Sequence, residues 1–154
     1  MVRALLFALL ILTPGWATAK LVPEATRADL IRQALDVFWG RARTPDGKAI
    51  QPKSELERRS LPVTEQVANL AFNVGELSGL AEWCHLDWKP TFTALTRTAR
   101  KNGQSEKQVA FISVVHGVAQ AAVAASLEKT GQCSHQNREK VRSQMVSFLT
   151  KQPR

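Results

Sequence analysis

Apolar residues recur along most of this chain at the three- and four-residue spacing of amphipathic helices, and five segments carry the pattern. The first runs from about Thr26 to Ala42. It places Leu30, Ile31, Ala34, Leu35 and Phe38 on one side, behind Pro23 and the capping candidate Thr26. A loop follows over Arg43 to Lys53, where Thr44-Pro45-Asp46-Gly47 and Pro52 supply turn formers and no apolar period. The second helix starts near Pro62, and Val67, Leu70, Ala71, Val74, Leu77, Ala81 and Cys84 mark one continuous face. It is apolar off that face too, at Phe72, Leu80 and Trp83, which predicts a central position in a bundle. Gly75 and Gly79 each cost about 1 kcal/mol relative to alanine in a helix interior, so another helix or a ligand is expected close to this backbone.

Asp87 and Pro90 open a third helix that carries Phe92, Leu95 and Ala99 inward and stops at Arg100-Lys101-Asn102-Gly103. The fourth begins with a capping box, Ser105-Glu106-Lys107-Gln108. Val109, Ile112, Val115, His116, Ala119 and Val123 follow at helical spacing before Thr130-Gly131. Ser134 caps a fifth helix with Val141, Met145, Phe148 and Leu149 inward, ending before Pro153. No segment reads as a strand. The expected fold is all-α, a compact bundle of about five helices.

The start of the chain changes the picture. Residues Met1 to Ala19 combine Arg3, an unbroken apolar run from Ala4 to Leu12, a breaker at Thr13-Pro14-Gly15 and the small residues Ala17-Thr18-Ala19, the layout of a cleavable signal peptide. The run is too short to span a bilayer, which needs about 20 apolar residues. Cleavage after Ala19 leaves residues 20–154 as a single helical domain, periplasmic or secreted. No later apolar run approaches spanning length without polar interruption, so the mature chain is expected not to cross a membrane.

Charge comes next. The whole chain holds 21 Lys and Arg against 13 Asp and Glu. A basic balance outside the cytoplasm points to anionic company such as phospholipid headgroups, cell-wall polymers or an acidic protein. The cations are scattered in separate segments, Arg41/Arg43, Arg58/Arg59, Arg97/Arg100/Lys101 and Arg138/Lys140/Arg142, and no basic stripe is interleaved with aromatics, so nucleic acid is not expected.

Few residues offer chemistry. Two cysteines in an exported domain read as a pair, and a Cys84–Cys133 disulfide would close a loop of about 50 residues, contributing about 4 kcal/mol in the chain-entropy treatment. The alternative set Cys84, His85, Cys133 and His135 has the ligand types of a Cys2His2 zinc site, though not a zinc-motif spacing; no metal and no cofactor is expected. His116 lies on the inward face of the fourth helix and reads chiefly as a core histidine. Its functional alternative is a ligand-contacting group together with Gln120 and Glu76. Glu76 and Glu82 read as solvated. Trp39, Trp83 and Trp88 read as core or rim aromatics rather than a sugar-stacking platform. The chain lacks Gly-x-Ser-x-Gly, His-Glu-x-x-His, a phosphate-cradling glycine loop and Cys-x-x-Cys-His.

The order Cys84-His85, then Ser105 to Ile112 leading to His116-Gly117, then Cys133 with Arg138 and Val141, resembles the small periplasmic all-helical, two-cysteine proteins of Gram-negative bacteria that have no assigned activity. In architecture the chain is also similar to the small acid-stress chaperones of the periplasm. The resemblance implies compartment and fold and brings no catalytic residue with it. The expected function is a helical binding or interaction module without catalysis, its partner a protein or an anionic envelope component. The alternatives are a small-molecule or metal-binding pocket around His116, or an envelope hydrolase using His116 with Glu76 or Glu82.

Overall fold

A computed structural model describes residues 22–151; the expected signal peptide, the cleavage point before Lys20 and Pro153 lie outside them. The described residues form six helices: α1 (Glu24–Phe38), α2 (Glu55–Arg59), α3 (Glu65–Trp83), α4 (Lys89–Lys101), α5 (Glu106–Leu127) and α6 (His135–Thr150). The all-α reading holds. Among the described residues the nearest approach to a strand is an isolated antiparallel bridge, Arg43 to Ala49, closing the turn at Gly47.

Local chemistry explains most of the boundaries. Ser105 and Gln108 form the reciprocal capping box expected for α5, and Ser134 caps α6 by accepting from the Asn137 backbone N–H. Three expectations need correction. The first helix opens at Glu24 behind Pro23 rather than at Thr26, and it ends at Phe38 because Trp39 turns into extended backbone. The next long helix begins at Glu65, capped by Thr64, which keeps Pro62 outside and frees its carbonyl for Gln108 Nε2. The short α2 was not expected. Ser54 starts it by accepting from the Glu57 N–H, while the Glu57 carboxylate takes the backbone N–H of Lys53 and the ammonium of Lys107.

Helices α3 and α5 are the central pair. The buried side of α3 holds Ala68, Ala71, Phe72, Val74, Gly75, Ser78, Gly79 and Ala81, rotated away from the expected face: Leu70 is 46% exposed and Val67 and Leu77 are half-buried. Both glycines face α5. A Cβ on Gly75 would lie 2.4 Å from the His116 carbonyl oxygen, and one on Gly79 would lie 2.8 Å from the Val123 Cβ. Steric room for a partner helix, rather than hydrophobicity, sets the orientation of α3.

The main core joins Ile31, Ala34, Leu35 and Phe38 of α1 to Ala71, Phe72 and Val74 of α3 and Val109, Phe111, Ile112 and Val115 of α5. A second, smaller cluster of Ala81, Cys84, Val141 and Met145 lies where α6 meets the end of α3. By length and composition α5 would also be able to cross a bilayer, which the sequence reading did not anticipate. In this fold its buried face packs on α3 and α1.

Candidate functional site

The α3–α5 seam encloses the one histidine of the core. His116 is 2% exposed, and its Nε2 stands 2.8 Å from Ser78 Oγ, itself fully buried between the two glycines. Ser78 lies 3.4 Å from the Thr91 hydroxyl, which donates at 2.6 Å to the Trp88 carbonyl at the start of α4. Phe92 and Trp88 cover the imidazole at centroid distances of 4.8 and 5.8 Å. Burial pushes the His116 pKa down to about 4, so the ring is neutral at neutral pH.

A serine hydroxyl on a histidine nitrogen is the geometry of an activated nucleophile, but two features deny it that role here. Both groups are sealed from solvent, and among the described residues no carboxylate is hydrogen-bonded to the imidazole to stabilise an imidazolium; the relay runs on from Ser78 to the Thr91 hydroxyl instead. The relay's effect is structural: it joins α3, α4 and α5 through polar groups whose desolvation would otherwise cost about 1–3 kcal/mol each.

The expected neighbours of His116 point elsewhere. Glu76 is buried, not solvated: its carboxylate accepts from Arg27 Nη2 at 3.0 Å and from the Val22 backbone N–H at 3.1 Å. Arg27 is 2% exposed, lies over the Phe72 ring and also donates to Asn73 Oδ1. Sequence reading missed Arg27, although it stands one turn before Ile31 on the apolar face of α1; that position was the available signal. A buried guanidinium demands a buried carboxylate, and this pair ties α1 to α3. Gln120 donates to the exposed Glu82 at 2.7 Å. The set His116, Gln120 and Glu76 is therefore split among three separate contacts.

At the far end of α3, Cys84 and Cys133 form the disulfide, with Cα atoms 5.0 Å apart. Both thiolates of the alternative Cys84, His85, Cys133 and His135 set are thereby consumed. Among the described residues no group of three or more His, Cys, Asp or Glu is placed to hold a metal ion. His85 adopts φ 55° just after α3, and its carbonyl accepts from Arg138 of α6. The three tryptophans do not share a platform: Trp39 donates to the Arg58 carbonyl beside α2, Trp83 donates to the Gly131 carbonyl, and Trp88 stands over His116.

Two surface grooves stand out among the described residues. One, of about 370 Å³, runs between α1 and α3 with Ile31, Leu35 and Ala68 at its apolar side and Arg32, Arg59, Glu24 and Glu65 around it. The other, about 340 Å³, lies between the 42–45 turn and α5, with Arg43 and Arg100 at its rim. Neither is lined by His116, Gln120 or Glu76. The chain matches no known protein family, no curated protein and no solved structure.

Proposed function

We propose that this chain is an exported helical binding module that works without catalysis, recognising a protein or an anionic component of the cell envelope through its outer surface. The observation that carries this reading is the sealing of His116. The histidine that comes within hydrogen-bond reach of a serine is buried, uncharged and covered by two aromatic rings. The residues with catalytic chemistry are thus spent on holding helices together, which leaves the exterior as the working surface. A disulfide closing the α3–α6 junction fits a chain that meets an oxidising compartment.

The test is isolation of the protein from its native host under mild conditions. A stoichiometric partner chain or envelope component should accompany it, and His116→Gln or Ser78→Ala should retain that partner wherever the variant folds. Turnover of any ester, phosphoester or glycoside that His116→Gln abolishes, with the unfolding midpoint unchanged, would overturn the reading in favour of a hydrolase.

A further inference from the structure

The net positive charge is not spread over the molecule. Helix α4 carries four cations and no acid, and α6, packed beside it, carries three cations and one acid. All other described residues together hold eleven cations and twelve acids. Two helices therefore account for the whole basic excess of the described fold. On α4, Lys89, Arg97 and Lys101 are exposed at four- and eight-residue spacings, with exposed Thr93 between. Four-residue steps advance about 40° around a helix, so these positions form one outward stripe, about 18 Å long, opposite buried Leu95 and Ala99. Lys89, Arg97, Lys101 and Lys140 make no ion pair with another described residue. Arg100 is held by Glu106 and Arg142 by Glu139. The nearest acid at the start of the stripe, Asp87, accepts from the Lys89 backbone N–H.

We infer that the outward face of α4, with α6 beside it, docks the protein onto an anionic phospholipid surface; this rests on the binding-module reading above and names its partner. Three features select headgroups over a protein or a nucleic acid. The stripe runs along the outer side of a helix, and Lys89, Arg97 and Lys101 line neither of the two grooves described above. Of the large exposed apolar side chains, Val37, Leu56 and Leu70 lie on neither helix and Val146 stands alone on α6, whereas a protein interface centres on a cluster of aromatic or aliphatic anchors. No exposed aromatic lies between the cations to stack a base. Flexible cations separated by short side chains ask only for a plane of interchangeable phosphates.

Sedimentation with vesicles tests this, using protein produced in its native host so that its natural N-terminus is present. Vesicles of equal parts phosphatidylglycerol and phosphatidylcholine should bind it, vesicles of phosphatidylcholine alone should not, and binding should weaken as salt rises. Each surface cation is worth about fivefold in affinity, so Lys89→Gln/Arg97→Gln/Lys101→Gln should reduce binding about 100-fold. Arg32→Gln/Arg41→Gln/Arg59→Gln removes the same charge elsewhere and should leave it within about threefold. Equal losses in the two triple variants would overturn the assignment to α4. Association that resists salt and alkaline carbonate would also overturn it, by pointing to insertion of α5. Absence of vesicle binding while a partner chain or nucleic acid still depends on the α4 cations would overturn the lipid inference and leave the binding module standing; loss of every partner would remove both.

Discussion

The two halves of α3 are secured by different means. Its first half is surrounded: α1 covers one side, α5 the other, and Ala71, Phe72 and Val74 join a large apolar core in which even the arginine is paired. Its last turn meets α6, which buries only Val141 and Met145, and the cluster there comprises four buried residues, one of them a half-cystine. Beyond these, α6 sets only the half-buried Phe148 against the main core, so it buries less apolar surface than α1, which buries Ile31, Ala34, Leu35 and Phe38. The disulfide stands where apolar area runs out. The comparison teaches that α6 leans on the disulfide more than α1, α3 and α5 do, which hold one another by packing.

The most direct way to break that comparison is to cut the bond. Replacing both Cys84 and Cys133 by serine opens a loop with a sequence separation of 49 and should cost about 4 kcal/mol. The loss should be local as well as global. Amide exchange should show α6 losing protection at opening energies below those of α3 and α5, which keep theirs. A loss under about 1 kcal/mol, with α6 protected as before, would show that packing holds α6 without the bond.

Acid should strain the packed half instead. His116 titrates near 6.5 when unfolded and about 4 when folded, because burial disfavours the imidazolium. Between those values the unfolded chain binds a proton that the folded chain refuses. Stability from this group is therefore complete above pH 6.5, falls as pH drops toward 4, and changes no further below, a total of about 3 kcal/mol. Glu57 and Glu106, held below the usual carboxylate range by Lys107 and Arg100, lose their contributions at lower pH in any variant that keeps them. Denaturant unfolding of His116→Gln from pH 7 to 4 should give a flatter curve than the parent. Coincident slopes would mean that His116 is protonated in the folded state.

Much of the bundle was legible in the sequence because its signals are local. Ser105 with Gln108, Ser134 before a polar first turn, and Val109, Ile112, Val115, His116, Ala119 and Val123 at helical spacing each specify α5 or α6 without reference to the rest of the chain. On α3 the close approach at Gly75 and Gly79 was legible, and α5 makes it, but the apolar face was not. A helix that is apolar nearly all round has no single preferred side, and the choice was made by Gly75, Ser78 and Gly79, small residues that count for little on a hydrophobic scale but admit another backbone. The buried Arg27–Glu76 pair escaped for a related reason: charge predicts exposure unless the partner, 49 residues away, is already known. Likewise the basic excess looked scattered along the chain because α4 and α6 are separated in sequence by α5 and become neighbours only on folding.

The smallest expected effect sharpens the comparison at the disulfide end. After α3, the His85 N–H donates to the Glu82 carbonyl and the Leu86 N–H to the Ala81 carbonyl; after α4, Gly103 and Gln104 make the same pair of bonds to Arg100 and Ala99. This is one helix-ending motif used twice, with a left-handed residue at its centre, φ 78° at Gly103 and φ 55° at His85. A side chain in that region costs about 1–2 kcal/mol, and glycine returns about 0.5–1 kcal/mol of this through its greater freedom in the unfolded chain. His85→Gly should therefore stabilise the protein by about 0.5 kcal/mol, a rise in unfolding midpoint of about 2 °C, with the Cys84–Cys133 bond intact and the His85 carbonyl still available to Arg138. A fall in stability would mean that the exposed imidazole contributes more than the relieved backbone, and the junction of α3 and α6 would then owe part of its strength to His85 rather than to the disulfide alone.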